Sequence, residues 1–330
     1  MRTKREIKKV IETIRHNKSF LITAHMNLEG DALGSVLAMY LLLKKLRKKA
    51  VVCNNDPTPQ IYSFLPHSRK IRNSLEDDER FDVGIVLDCS DSSRAGHVKH
   101  YLSRVKSIIN IDHHVSNTFF GDVNWVEPHK SSACEILYKL CEKFRIMDKN
   151  IALCLYTGIF TDTGNFTYAN TDKHTHKIAA HLMRYHIHPN KVYEALHSFC
   201  VENDLKFIGR IISSLKFDEK RKICWAKITK WREKEYDLTE VIFSIMRLLK
   251  GVEVFILFKK ADAKKVRINF RSRGRVDVNR IAQFFGGGGH KSASGTTVED
   301  SLNGAERKVI AFAKRYTNGY RSSRKKNKKR

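Results

Sequence analysis

Side chains able to hold a hard cation stand at the ends of four apolar segments. FLITA (20–24) runs into His25, with Glu29 and Asp31 close behind, and DVGIVL (82–87) runs into Asp88. SIINI (107–111) runs into Asp112, His113 and His114, and a helix-like segment ending GIFTDTGNF puts Asp162 ahead of a glycine-containing turn. An aspartate after a strand is often only a turn former or a helix cap; the repetition at separate elements is what points to a site. His25, Glu29, Asp31, Asp88, His113 and Asp162 offer carboxylate oxygen and imidazole nitrogen without thiolate. That set suits Mn²⁺ and other fairly hard divalent ions better than a structural zinc. It also exceeds what one catalytic ion with open positions requires, so two ions are expected. A pair of ions stabilises both the attacking and the leaving oxygen of an in-line displacement at phosphorus, and phosphoester hydrolysis is the reaction this implies.

For these residues to meet, the strands must be parallel and adjacent. Short runs rich in Ile and Val (20–24, 50–53, 82–87, 107–111) alternate with helix-length stretches such as ALGSVLAMYLLLKKLRKK, SSACEILYKLCEKF and IALCLYTGIFTD. That alternation predicts a parallel sheet covered on both faces, with the strands' carboxyl ends on one edge. Asp148 or Asn150 is the expected cap of the third helix. From about 187 to 215 the chain reads as helical, and then KICWAKITK, VEVFILFKK and KVRINFRSR read as strands of a second α/β unit, followed by a helix, VDVNRIAQFF, and four glycines. The expected organisation is a catalytic domain at 1–195, a helical linker at 196–215, a smaller α/β domain at 216–318 and a basic disordered tail at 319–330. Gly286, Gly287, Gly288 and Gly289 could turn successive N–H groups toward an anion. His290 follows, and Arg271 and Arg273 add planar donors that match phosphate. The competing explanation, that the glycines only end the helix, needs one glycine rather than four.

The chain of 330 residues carries a net charge of +27, of which the last ten residues supply seven, leaving a body at +20. Such a field favours polyanions, nucleic acid or nucleotides first. Hydrophobic residues at 42% and charged residues at 29% are ordinary for a folded protein and exclude disordered and fibrous classes. No apolar run is long enough to span a bilayer, and the N-terminus lacks a signal peptide's apolar core, so the expectation is a cytoplasmic protein without a membrane partner. Seven scattered cysteines with no C-x-x-C pair argue against a disulfide framework or a zinc ribbon and read as small core residues.

In order along the chain, HMNLEGDALGS, VLDCSDSSR, NIDHHVSN and TGIFTDTGNF resemble the motifs of the DHH phosphoesterase superfamily, whose name is the tripeptide Asp112-His113-His114. RINFRSRGRVDVNRIAQFFGGGGHKSASG resembles the DHH-associated domain that accompanies it. Within that superfamily the chain is most similar to the NrnA-like branch, oligoribonucleases and pAp phosphatases. The resemblance implies two domains with the active site in the interdomain cleft. It implies one ion on His25, Glu29 and Asp88 and a second on Asp31, Asp88, His113 and Asp162, with Asp88 shared. His114 would contact the scissile phosphate or aid proton transfer, and Asp112 would orient the histidine pair. Arg271, Gly286 to Gly289 and His290 would bind the substrate, a short single-stranded RNA, pAp or pApA. A homodimer is a further implication. The first motif departs from its usual form, with Leu28-Glu29 in place of Pro-Asp. The rival expectations are a phosphodiesterase of cyclic dinucleotides or pApA, and a catalytically weak RNA-binding protein that keeps the fold.

Overall fold

The structure is a computed structural model and describes residues 2–230 and 238–327, with side chains over 5–230 and 238–317. The chain divides into two compact units, Met1–Phe199 and Cys200–Arg330. The first runs α1 (Arg2–His16), β1 (Ser19–Thr23), α2 (Gly30–Lys45), β2 (Lys49–Val52), β3 (Val83–Leu87), α3 (Val98–Leu102), β4 (Ser107–Asp112), β5 (Val123–Val126), α4 (Ala133–Phe144), α5 (Lys149–Asp162), α6 (Lys173–Met183) and α7 (Pro189–His197). Its sheet is wholly parallel, in the order β2-β1-β3-β4-β5. Every residue of β3 is buried, as a central strand covered on both faces requires. Phe20, Ile22, Ile85 and Ile109 face the helices α1, α2, α4 and α5, whereas Leu21 and Val86 pack on the opposite side with Val98 and Leu102 of α3. β5 escapes a sequence reading because VNWV is short and polar at its second position. It is held by pairing with β4 and by Trp125, buried with its Nε1 donating to Glu127 at 2.7 Å.

Helices α2 and α5 are apolar nearly all round and buried accordingly. Their crossing is tight. A Cβ on Gly34 would stand 2.4 Å from the Cys154 carbonyl oxygen, and one on Gly158 would stand 2.3 Å from Cys134 Sγ and 2.8 Å from Asp31 Oδ1. Asp31 in the first turn of α2 and Asp162 at the end of α5 are therefore brought close by a contact that only glycine permits.

The second unit contains α8 (Glu202–Ser213), β6 (Lys216–Phe217), β7 (Ile223–Ile228), α9 (Thr239–Met246), β8 (Val254–Lys260), β9 (Lys265–Ser272), α10 (Val278–Phe284), β10 (Gly288–Gly289), β11 (Ala293–Glu299) and α11 (Leu302–Asn327). The segment expected as a linker is thus largely α8. The sheet order is β10-β11-β9-β8-β7-β6, antiparallel except for the β7–β8 pair. Val254, Ile256, Phe258, Val266, Ile268 and Phe270 form its core with α10 and α11. α11 continues to Asn327, through most of the segment expected to be a disordered arm; 328–330 lie outside the described residues. A nucleated helix extends readily, and Lys and Arg are good helix formers suited to a C-terminal dipole. Among the described residues no cysteine is disulfide-bonded, and no helix is long and apolar enough to cross a membrane.

Alanine normally stabilises a helix relative to glycine by up to about 1 kcal/mol. At Gly158 the sign is expected to reverse: Gly158→Ala should lose about 1–3 kcal/mol through overpacking against Cys134 and Asp31, measured by urea unfolding. A stabilised variant would refute the tight crossing.

Candidate active site

Because β1, β3 and β4 are neighbours, the residues that follow them share one edge of the sheet. Asp88 follows β3 directly in a left-handed conformation (φ +50°), its N–H donating to the Ile111 carbonyl at 3.0 Å and its side chain 2% exposed. Ligand atoms of His25, Glu29 and Asp88 lie within 4.8 Å of one another, as do those of Asp31, His113 and Asp162, and those of Asp88, Asp112, His113 and His114. All the candidate metal ligands and both companion residues of the tripeptide fall in this one cluster.

The rings are aimed by their backbone contacts. His25 Nδ1 donates to the Met26 carbonyl at 2.5 Å, and its Nε2 lies 3.4 Å from Asp88 Oδ2 and 3.8 Å from Glu29 Oε1. His113 Nδ1 lies 3.3 Å from the Lys130 carbonyl, while Nε2 faces Asp88 Oδ1 at 3.3 Å, Asp162 at 3.6 Å and Asp31 at 3.9 Å. In both rings the contact at Nδ1 turns Nε2 toward the carboxylates. Asp31 accepts from the N–H groups of Ala133 at 2.7 Å and Cys134 at 2.9 Å. It therefore sits on the N-terminus of α4, where the helix dipole favours a carboxylate, and each oxygen keeps a second lone pair for a cation. Asp112 accepts from His114 Nδ1 at 2.7 Å and from the His113 N–H at 2.8 Å.

Asp112 has a further support that the sequence reading missed. Asn117 Nδ2 donates to it at 2.6 Å and to Asn110 Oδ1 at 2.8 Å, and Asn110 in turn donates to the Cys89 carbonyl at 3.1 Å. The available signal was Asn110, a polar residue inside the apolar run SIINI and fully buried in β4.

The cluster gathers five carboxylates and three imidazoles. Asp88 Oδ1 is buried and accepts no hydrogen bond. Burial opposes ionisation of Asp88, but His113, His25 and His114 hold it well below the ordinary carboxylate range. Burial likewise disfavours a charged His25, yet Asp88 and Glu29 raise it to about 9; His113 is raised in the same way by Asp88, Asp162 and Asp31. Burial and the Asp88 charge lift Asp31 to about 6. Burial also pushes Asp162 up; His113 pulls the other way, and Asp31, Glu29 and Asp88 reinforce the rise. The shifts run in the direction that reduces net negative charge in the cluster, and the oxygen and nitrogen donors fit hard divalent ions.

Two family models match the chain: the N-terminal domain of the DHH family over residues 19–159, and the DHHA1 domain over 226–319. The bifunctional oligoribonuclease and PAP phosphatase NrnA of Thermus thermophilus is 31% identical over 84% of this chain and 83% of its own length. The chain belongs to the DHH family. The Bacillus subtilis protein of the same name is 26% identical over 88% of this chain and 92% of its own. A crystal structure of an exopolyphosphatase-related protein from Bacteroides fragilis superposes with a TM-score of 0.88 at 25% identity, covering 96% of this chain and 98% of the other.

Where the first DHH motif departs from its usual form, Leu28 is buried and Glu29 is half exposed. The missing proline is offset by direct ties: the Met26 N–H donates to the Arg94 carbonyl at 2.7 Å and the Asn27 N–H to Asp56 at 2.6 Å. In the DHHA1 domain the expected binding residues divide. Arg273 donates to the carbonyls of Val252 at 2.9 Å, Leu249 at 3.0 Å and Arg247, so its guanidinium ties backbone together. Arg271 lies over the Phe243 ring and is paired with Glu240, a residue the sequence reading missed. The N–H groups of Gly286 and Gly287 donate to Gln283 and Ala282 and close α10, so those two amides are engaged in ending a helix rather than offered to an anion. The His290 N–H donates to the Ala293 carbonyl at the β10–β11 turn.

The raised pKa of His25 fixes the sign of a pH effect. In the metal-free protein the charged ring contributes stability below its unfolded pKa, and that contribution is lost as pH rises through about 9. A cation held by His25 would displace the same proton. Affinity for a divalent ion, with Mn²⁺ as probe, should therefore rise up to about tenfold per pH unit from roughly pH 7 to 8.5. Calorimetry in buffers of different ionisation enthalpy checks this, and binding without proton release would contradict it.

Proposed function

We propose that this chain is a Mn²⁺-dependent phosphoesterase that hydrolyses short oligoribonucleotides to mononucleotides and removes the 3′-phosphate of pAp. The observation that carries the reading is Asp88, a buried carboxylate with an oxygen that accepts no hydrogen bond, set between ligand groups on either side. The relatives named as oligoribonuclease and PAP phosphatase supply the substrate class, and the net charge of +27 suits an anionic substrate. As a DHH family member the chain is a hydrolase acting on phosphoester bonds.

His25, Glu29 and Asp88 would hold one ion, and Asp31, Asp88, His113 and Asp162 the other. Bound, the ions would supply positive charge at phosphorus and lower the pKa of the attacking water. His114, held through Nδ1 by Asp112, would exchange a proton with a phosphoryl or leaving oxygen. Asp112 and Asn117 keep that ring in one tautomer. Buried surroundings at Asp88 and His114 strengthen each of these interactions by excluding water.

Purified protein with Mn²⁺ should hydrolyse pAp, pApA and RNA di- to pentamers in preference to longer strands, and Asp88→Ala should lower the rate at least about 100-fold. RNA binding without turnover, equal in the Asp88→Ala variant, would overturn the reading. The glutamate at position 29 adds a methylene to a ligand that is usually aspartate. Glu29→Asp should bind one of the two ions about tenfold more tightly in a calorimetric Mn²⁺ titration; a superimposable isotherm would remove Glu29 from the ligand set.

A further inference from the structure

The turn 130–134, which leads into α4, reaches every member of one candidate ligand group through its backbone. The Lys130 carbonyl lies 3.3 Å from His113 Nδ1. The Ser131 carbonyl accepts from Asn170 Nδ2 at 3.1 Å, and the same amide group donates to the Asp162 carbonyl at 3.0 Å. The Ala133 and Cys134 N–H groups donate to Asp31. His113, Asp162 and Asp31 are the residues whose ligand atoms converge as one group. The other group is fixed elsewhere: His25 by the Met26 carbonyl, and its loop by the bonds of Met26 and Asn27 to Arg94 and Asp56.

One side chain holds the turn. Glu135 is 1% exposed and accepts from Lys130 Nζ at 2.8 Å, from the Ser131 N–H at 3.0 Å, from the Ser131 hydroxyl and from the Thr175 hydroxyl of α6 at 3.3 Å. A glutamate at the third position of a helix ordinarily reaches back to the N–H of the capping residue. Here Ser132 caps α4 by accepting from the Glu135 N–H at 3.0 Å, and the Glu135 carboxylate passes beyond it to residues 130 and 131. Burial opposes its charge, yet Lys130 and Ser131 hold the carboxyl below the ordinary range. Starting a helix does not require a buried anion, which is costly to take out of water unless fully paired. What this pairing fixes is the direction of the backbone polar groups that meet His113, Asp162 and Asp31.

We infer that Glu135 is a positioning residue for the ion held by Asp31, His113 and Asp162, acting through the backbone of 130–134, with no such hold on the ion at His25 and Glu29. A change at Glu135 moves three ligands together. The Lys130 carbonyl turns from the His113 ring, the paired amides shift from Asp31, and Asn170 loses one of its two acceptors. The inference rests on the two-ion assignment proposed above, but its test reads binding rather than turnover.

Full-length protein is titrated with Mn²⁺ in a calorimeter, and Glu29→Ala, which strips a ligand from the His25 group, identifies the step belonging to that group. Glu135→Gln puts an amide NH₂ where one oxygen accepted, so that it faces either the Lys130 ammonium or the Ser131 donors. It should weaken the other step by about tenfold to 100-fold, as loss of groups that orient metal ligands does, and the His25 step by no more than about twofold. Asn170→Ala removes an exposed side chain without touching Glu135 and should weaken the same ion by about tenfold, so the inference stays testable if Glu135→Gln does not fold. Equal weakening of both ions, weakening confined to the His25 step, or an unchanged isotherm would overturn the role, as would a native protein that binds a single ion. Native protein that binds two ions and hydrolyses no nucleotide would strike the phosphoesterase reading instead, and the isotherms would still decide the part played by Glu135.

Discussion

A carboxylate that is buried must be paired, and the first unit is organised around that requirement at Asp88. Moving an unpaired anion out of water costs several kcal/mol or more. Here the anion stands at the end of a central strand with all of β3 buried behind it, held in a left-handed turn. Imidazoles from the segments after β1 and β4 answer it, and burial and the neighbouring carboxylates shift Asp31 and Asp162 upward, while the carboxylates raise His25 and His113 against their burial. Divalent cations would relieve the repulsion among these carboxylates.

Bringing like charges together requires a scaffold that resists their separation. The crossing of α2 and α5 supplies it, because Gly34 and Gly158 let the helix backbones approach to where a methyl group would not fit. The N-terminus of α4 adds fixed partial positive charge on Asp31. On the opposite side the chain Asn110–Asn117–Asp112–His114 is a fully buried polar network with its hydrogen bonds made, the condition under which such networks rigidify a site. Each device holds a side chain that would otherwise turn away from its neighbours.

In the second unit, glycines that look alike in sequence have separate tasks. Gly286 and Gly287 end a helix, Gly287 also admits the close passage of β11, and Gly288 leaves open space over the sheet. Arg271 and Arg273, two residues apart on the same strand end, likewise divide: one is paired with an exposed carboxylate beside a cavity, and the other fastens three backbone carbonyls.

The parallel sheet, its order of elements and the identity of the clustered residues were legible in the sequence, because apolar runs of strand length ending in His or Asp reflect local backbone preference and burial, which neighbouring residues determine. β5, β10 and β11 were not, since VNWV and the glycine-rich ASGTTVE carry too little apolar pattern to stand out and are held by pairing with neighbouring strands. The roles of Asn117, Glu240 and the separate glycines were invisible for a related reason: each depends on a partner distant in the chain. Sequence alone determined which residues could bind a cation and in what order the chain presents them. Only the tertiary structure decided that β1, β3 and β4 are neighbours, that an α4 amide pair restrains Asp31 and that the Gly286 and Gly287 amides are already engaged, because hydrogen bonds and close contacts exist only once the chain has packed.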